Sequence, residues 1–251
     1  MRLLAIDTAT LTASAAVVEL DDATGAPTVL AAGDVVTVTA AHGERLMPLV
    51  AALLDQAGLA LAAIDAIAVG AGPGSFTGLR IGLATAKGLA FAIGRPLWLA
   101  SSLAALAWDL AAGSDDDGAL LIPALDARRA EIYVGFYRRA GVTVEALAPE
   151  RVLPPAALAA ALADLGPGGD GPARIAGDAL TAHAAGLVDL PARVVRRPDI
   201  RPTPSALAVA MVAAGGPRTD ALGHGAPAYI RPSEAEVKYP DGVPGARRRV
   251  P

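Results

Sequence analysis

The chain reads Gly70-Ala71-Gly72-Pro73-Gly74-Ser75-Phe76-Thr77-Gly78-Leu79-Arg80 at the point where a short apolar strand ends and a helix begins. Backbone N–H groups in such a loop, together with the helix dipole, are able to bind an anion. The loop lacks the Gly-Lys-Ser/Thr ending of a Walker loop, and Ser75 stands where a dinucleotide loop has its third glycine. A second interpretation stays open: a tight turn that requires positive φ, with Thr77 capping the helix.

Apolar periodicity predicts two similar cycles of strands and helices around this loop. The first comprises strands Leu3–Asp7, Ser14–Glu19, Val35–Thr39 and Ile64–Val69, helices Glu44–Ala57 and Gly78–Ile93, then strand Pro96–Ala100 and a helix ending near Gly113. The second comprises strands Leu120–Asp126, Glu131–Tyr137, Thr143–Leu147 and Arg174–Ala176, and helices Pro155–Leu165, Ala179–Gly186 and Ser205–Ala214. We therefore expect an α/β protein of two related lobes.

The domain limits follow from these cycles. We predict a first lobe at residues 1–103, a second lobe at 104–226 and an extended tail at 227–251. The Ser205–Ala214 helix could cross back to the first lobe. The tail is rich in proline, has no helical period and carries a small excess of positive charge, so it could contact a phosphate backbone.

The composition excludes several classes of protein. Without cysteine, the chain cannot contain a disulfide framework, a thiolate metal site or a thiol nucleophile. Its net charge of −4 disfavours a stand-alone nucleic-acid binder. The longest uncharged run, between Arg201 and Arg218, contains several prolines and is shorter than the roughly 20 residues that a spanning helix needs. The acidic residue Asp7 lies where a signal peptide would have its apolar stretch. We therefore expect a cytoplasmic protein with no membrane segment.

Two turns carry candidate ligand-binding side chains. Asp7-Thr8-Ala9-Thr10 follows the first strand, where a carboxylate and hydroxyls could hold a metal–phosphate group. Ala9 stands where close phosphate approach favours glycine, and the hydroxyls could instead satisfy the turn backbone. The alternating charges of Asp126–Glu131, in a predicted second-lobe hairpin, could contact a ligand or be solvated.

Neither a metal site nor a serine nucleophile is expected. His42, His183 and His224 are isolated, and the position one helical turn after His42 is Leu46, so no pair of histidines shares a helix face. Ser101-Ser102 has no histidine nearby in sequence and no nucleophile elbow.

The two first-lobe helices are candidates for a partner surface. The Glu44–Ala57 helix has two apolar stripes: one is Leu46/Leu49/Leu53, and the other is Met47, Val50 or Ala51, and Leu54. Two stripes indicate a helix covered on both sides. The Gly78–Ile93 helix carries small residues, including Gly82, that allow another helix to approach closely. Coverage within the molecule would explain both patterns equally well.

Five motifs, in order, resemble the bacterial TsaB (YeaZ) family over essentially the whole chain. They are Leu4–Thr10, His42–Pro48, Gly72–Gly82, Ala124–Arg128 with Glu131–Tyr133, and Pro227–Arg231 with Ser233–Glu236. The resemblance implies two RNase H-like lobes of the actin/Hsp70-like ATPase (ASKHA) superfamily. It also implies a non-catalytic subunit of the synthase that makes threonylcarbamoyladenosine at tRNA position 37. The partners implied are the catalytic paralogue TsaD and the small ATPase TsaE, with tRNA bound mainly through the complex.

The resemblance also assigns site residues. Loops similar to nucleotide-binding loops, which could be vestigial, contain Asp7, Thr8, Gly72, Gly74, Ser75, Thr77 and Gly78. The surface for TsaD or for a homodimer would comprise Leu46, Met47, Val50, Leu54 and Gly82. The paralogue's metal-binding His-x-x-x-His pair is reduced here to His42, so no metal and no catalytic residue is expected.

The resemblance implies no tightly bound cofactor, although ATP or ADP could bind at the interface with TsaD. The alternative function is an ATP-dependent small-molecule kinase of the same fold. Such a kinase requires glycine-bearing phosphate loops in both lobes and a positioned carboxylate base. The chain has Ala9 in the first loop, and the nearest second candidate is Ala176-Gly177-Asp178.

Overall fold

The computed structural model describes residues 1–36, 42–112, 118–166 and 171–231. It contains ten strands and six α-helices within that part of the chain. The strands are β1 Arg2–Asp7, β2 Thr12–Leu20, β3 Pro27–Val36, β4 Ala66–Gly70, β5 Leu97–Ala100, β6 Leu120–Arg128, β7 Glu131–Ala140, β8 Thr143–Leu153, β9 Ala173–Ala176 and β10 Val194–Arg196. The helices are α1 His42–Gln56, α2 Phe76–Ile93, α3 Ser102–Ala112, α4 Leu158–Ala163, α5 Ala179–Ala182 and α6 Ala206–Gly215.

Two five-stranded sheets share one topology. The first has the order β3-β2-β1-β4-β5, in which β1, β2 and β3 are antiparallel and β1, β4 and β5 are parallel. The second repeats it as β8-β7-β6-β9-β10. An antiparallel hairpin unit followed by parallel strands with helical crossovers is the RNase H-like arrangement, so the chain has two such lobes. The predicted actin/Hsp70-like α/β fold is confirmed.

The helices of the first lobe cover both faces of its sheet. α1 and α2 pack on one face, over Leu4, Ile6 and Ile67. α6 packs on the other face, where its alanines meet Leu3 and Ala68. α3 lies beside α6 but packs on the second sheet. The predicted lobe limits stay a prediction, and the one at residue 103 falls in the first turn of α3.

Three predicted elements differ in the structure, and one strand was not predicted. β3 begins at Pro27, eight residues before the strand predicted at Val35–Thr39, because it pairs with β2 along the whole of Pro27–Val36; residues 37–39 of the predicted strand lie outside the described part. β10 was not predicted, since three residues carry no periodicity. The helices expected at 155–165 and 179–186 are each divided into a 3-10 turn and a short α-helix.

α2 is long and apolar enough, by length and composition alone, to cross a membrane. It also contributes Leu83, Ala86 and Leu89 to the first core and carries Arg80 and Lys87. Core helices commonly pass such a test, so the absence of a membrane segment stays a prediction.

The proposed partner surface on α1 needs correction. Leu46, Val50 and Leu54 are buried in the first core, because α1 contacts both β2–β3 and α2 and so buries a wide arc. Gly82 of α2 is buried as well. Of the five predicted interface residues only Met47, 44% exposed, reaches the surface.

Val50→Asp is therefore expected to destabilise the isolated chain rather than merely prevent pairing. A carboxylate placed at this 1% exposed position has no partner, and we expect the free energy of unfolding to fall by at least about 3 kcal/mol. Urea denaturation measures this. The control, Met47→Asp on the solvent side of the same helix, should change it by less than about 1 kcal/mol. Equal effects at both positions would contradict the burial of Val50.

Candidate functional site

A cavity of about 740 Å³ lies between the two lobes. Three groups of residues line it. The first lobe contributes the turn after β1 and the start of α2, the second lobe contributes the β6–β7 turn with Tyr133 and Asp178, and a C-terminal segment contributes the rest. The lining residues are Ala9–Leu11, Gly74–Thr77, Arg80, Asp126–Arg129, Tyr133, Asp178, Ala228, Tyr229 and Arg231.

Asp7 lies below the cavity, at the buried end of β1. Its carboxylate accepts hydrogen bonds from the Ser102 hydroxyl at 2.7 Å and from the Ala9 backbone N–H at 2.8 Å. Burial raises the pKa of Asp7 to about 6, although the two hydrogen bonds partly oppose that shift. A Cβ on Gly70 would lie 2.0 Å from its Oδ2, so only glycine fits beside it. The carboxylate thus joins the end of β1 to the start of α3.

Thr8 is also fully buried, and it holds the glycine loop in place. Its hydroxyl donates a hydrogen bond of 2.8 Å to the Gly78 carbonyl. A Cβ on Gly78 would lie 2.1 Å from the Thr8 carbonyl oxygen, and one on Gly74 would lie 2.4 Å from that of Ala9. These glycines therefore allow the loop to lie directly on the turn after β1.

Ser75, not Thr77, caps α2. The Ser75 hydroxyl accepts a hydrogen bond from the Gly78 N–H at 3.3 Å, since Ser75 is the non-helical residue just before the first turn. Thr77 lies within that turn and is exposed to the cavity. The capping role predicted for Thr77 was wrong by two residues.

The structure separates the predicted loop residues into two sets. Gly74, Ser75 and Thr77 line the cavity. Asp7, Thr8, Gly72 and Gly78 are buried and do not line it. Binding of a nucleotide by these loops stays a prediction.

A cluster of two aromatic side chains and one arginine borders the cavity, and it was not predicted from the sequence. Phe76 and Tyr229 stack with their ring centroids 5.1 Å apart. The Arg80 guanidinium lies 3.8 Å from the Phe76 ring centroid, and its Nε donates a hydrogen bond of 3.0 Å to the Tyr229 hydroxyl. All three residues belong to the quoted motifs, but nothing local indicates that two motifs about 150 residues apart meet.

The charged turn of the second lobe faces the same cavity. Asp126 pairs with Arg128 at 3.1 Å and with His183 Nε2 at 2.9 Å. Its backbone N–H donates to Asp178 at 2.7 Å, and burial raises the pKa of Asp178 to about 6. Arg128, Arg129 and Ala130 all have positive φ, an unusual conformation for three successive residues other than glycine.

No group of three or more histidine or acidic side chains suited to a metal occurs within the described ranges. The side chain of His42 lies outside the described residues, as does Ser233–Glu236 in the tail.

The chain is similar to several known proteins. The family model described as "TsaD: tRNA N6-adenosine threonylcarbamoyltransferase" matches residues 36–195. An uncharacterized protein of Mycobacterium tuberculosis is 38% identical over 216 residues, which cover 79% of this chain and 93% of that protein. The tRNA threonylcarbamoyladenosine biosynthesis protein TsaB of Bacillus subtilis is 38% identical over 152 residues, which cover 60% of this chain and 61% of that one. The structure of YeaZ from Pseudomonas aeruginosa superimposes with a TM-score of 0.74 at 31% identity, covering 91% of this chain and 99% of that one.

Asp7→Asn is expected to remove a pH dependence from the stability of the fold. The folded-state pKa of Asp7, about 6, lies above the ordinary value of 3.8, so the folded chain binds the proton more tightly. The contribution of Asp7 to the free energy of unfolding is therefore present at about pH 4 and below, and it is lost as the pH rises through 6. The loss corresponds to about 3 kcal/mol by pH 7.

Denaturation of wild type and Asp7→Asn at pH 4 and pH 7 measures the effect. The difference between the two proteins isolates Asp7 from the other buried carboxyls, Asp109 and Asp178, whose pKa values burial also raises. Asp55→Asn, on the exposed side of α1, serves as the control. A constant difference between wild type and Asp7→Asn across this range would contradict the burial argument.

Proposed function

The chain belongs to the TsaB (YeaZ) family, and on that premise we propose that it acts in tRNA threonylcarbamoyladenosine biosynthesis as a non-catalytic subunit. Similarity to the tRNA threonylcarbamoyladenosine biosynthesis protein of Bacillus subtilis supports the pathway, and the match to the TsaD family model supports kinship with the transferase. The finer part of the proposal is that this chain binds and activates TsaD, together with TsaE, in the cytoplasm.

The state of the first-lobe loop supports a non-catalytic role. A kinase-like site needs a free carboxylate and open backbone N–H groups at the turn after β1. Here the Asp7 carboxylate is bonded to Ser102 and Ala9, and the Ser75 N–H donates to the Ala9 carbonyl at 2.6 Å. The groups that would bind a metal–phosphate are therefore already hydrogen-bonded to other atoms of the chain.

Leu46 supports the same conclusion. Leu46 lies one helical turn after His42. In the paralogue, the family resemblance implies a second metal-binding histidine at this position. Leu46 is completely buried in the first core, so this part of α1 serves packing rather than ligand binding.

The exposed faces of α1 and α2 are the observation that supports pairing with TsaD. The two helices lie side by side. Their solvent side presents Met47 and Ala51 from α1, and Ala84, Gly88 and the 79% exposed Phe91 from α2. Small residues flanked by exposed apolar side chains allow close helix–helix contact and favour burial by a partner. This set replaces the buried residues Leu46, Val50 and Leu54 in the proposed interface.

Gly88→Arg is expected to abolish co-purification with TsaD while the lone chain stays folded. A Cβ at Gly88 meets nothing within 4 Å, so the substitution is tolerated in the isolated chain but blocks a closely packed partner helix. The control is Val188→Arg, at a 65% exposed position in the second lobe. Thermal melts check that both variants fold. Undiminished TsaD binding by Gly88→Arg would show that the interface lies elsewhere.

The same variant tests whether the exposed face of α1 and α2 also forms a homodimer of this chain. Light scattering of the isolated wild-type chain gives its mass, and a dimer that Gly88→Arg converts to a monomer uses the same face. A dimer that persists in Gly88→Arg uses a different face.

Adding this chain to TsaD and TsaE is expected to switch on tRNA threonylcarbamoylation. The assay measures modified tRNA with no added chain, with wild type and with Gly88→Arg. The proposal expects product only with wild type. Full activity without the chain would overturn the activating role.

A further inference from the structure

A second, smaller cavity of about 280 Å³ lies beside β5, the edge strand of the first sheet. The chain that follows α6 runs along this edge. Its Ala221 N–H donates to the Leu97 carbonyl at 2.8 Å, and its Asp220 carboxylate accepts a hydrogen bond from the Leu97 N–H at 3.0 Å. The cavity is therefore enclosed by β5, the end of α6 and the loop after that helix.

Trp98 of β5 brings a hydrogen-bond donor without a partner to this cavity. The side chain lines the cavity, yet the residue is only 6% exposed, and its indole N–H has no acceptor in the part of the chain that the structure describes. The other tryptophan, Trp108, donates its indole N–H to the Val142 carbonyl at 2.8 Å. Because a buried donor without an acceptor is unfavourable, an oxygen atom beside the Trp98 indole N–H would stabilise it.

Arg218 adds a positive charge to the same cavity. Its guanidinium carbon lies 5.5 Å from the centroid of the Trp98 ring, and its Nε donates a hydrogen bond of 2.8 Å to the Ala214 carbonyl at the end of α6. Within the described residues, Arg218 forms no ion pair with an acidic side chain. The nearby Asp220 carboxylate does not line the cavity and accepts hydrogen bonds from two backbone N–H groups. The remaining guanidinium N–H groups are therefore suited to an oxyanion.

The other walls indicate which oxyanion fits. Leu99 and Ala213 provide apolar surface, and Thr219 and His224 add polar side chains. A single arginine balances one negative charge, whereas phosphate at pH 7 carries between one and a half and two. A carboxylate is planar and pairs with both edges of a guanidinium fork. The volume is slightly below the range typical of drug-sized ligands, so the cavity favours a smaller molecule.

We propose that this cavity binds a small organic carboxylate. The carboxylate oxygens lie at Arg218 and beside the Trp98 indole N–H, and the hydrocarbon part packs against Leu99 and Ala213. The site belongs to the first lobe, and it is separate from the cavity between the lobes and from the exposed face of α1 and α2. The proposal goes beyond the proposed function, so its failure would leave the co-purification and threonylcarbamoylation results unaffected.

Nuclear magnetic resonance of the ¹⁵N-labelled full chain tests the proposal. The chain has two tryptophans, so it gives two indole N–H resonances, and a Trp108→Phe variant assigns them. Butyrate should shift the Trp98 resonance, with a dissociation constant below about 10 mM, and leave that of Trp108 in place. Butanamide, the neutral molecule of the same shape, should bind at least about tenfold more weakly because it lacks the charge that pairs with Arg218. Inorganic phosphate at the same ionic strength should also bind more weakly than butyrate.

Arg218→Gln should weaken butyrate binding by at least about tenfold, since it removes the positive charge. Arg45→Gln is the matched control, because it removes the same charge from α1, which packs on the opposite face of the first sheet. Thermal melts verify the fold of both variants, and the comparison of butyrate with butanamide needs no variant.

Four results would overturn the proposal. They are butanamide or phosphate binding as tightly as butyrate, equal weakening by Arg45→Gln and Arg218→Gln, equal shifts of both indole resonances, and an unchanged Trp98 resonance at about 100 mM butyrate.

Discussion

The close contact between the glycine loop and the turn after β1 positions most of the first lobe. Gly74 and Gly78 allow the backbone of the loop to meet the carbonyl oxygens of Ala9 and Thr8 without a side chain between them. The hydroxyl of Thr8 then fixes the first turn of α2, and the carboxylate of Asp7 fixes the start of α3 through Ser102. One short turn therefore sets the positions of two helices that pack on different sheets.

Hydrogen bonds between polar side chains also connect the two lobes. The Asp109 carboxylate of α3 accepts bonds from the backbone and hydroxyl of Ser205, which caps α6. Glu150 of β8 accepts hydrogen bonds from Ser101 and Tyr137, and burial raises its pKa. Because α6 lies on the first sheet and α3 on the second, these contacts hold the helices between the sheets in one arrangement.

The packing of α1 and α2 on the first sheet determines which of their side chains remain exposed. α1 and α2 bury one side against the first sheet and leave Met47, Gly88 and Phe91 outside, which suits a partner helix. The start of α2 meets the C-terminal segment, where Phe76 and Tyr229 border the cavity. The start of α2 therefore borders the cavity, while its later turns contribute to the proposed partner face.

The sequence by itself determined the order of the elements, because apolar periodicity and glycine positions are local properties. It placed β1, α2 and the β6–β7 hairpin correctly, and the family resemblance gave the two-lobed fold. It did not determine how much of α1 is buried, since both apolar stripes contribute core residues and, of the interface residues predicted on this helix, only Met47 reaches the surface. Nor did it indicate that Tyr229 meets Phe76 or that Ser102 bonds to Asp7, and it left open whether the Ser205–Ala214 helix returns to the first lobe, as α6 does. Those contacts join residues far apart in the chain, so only the tertiary structure decides them.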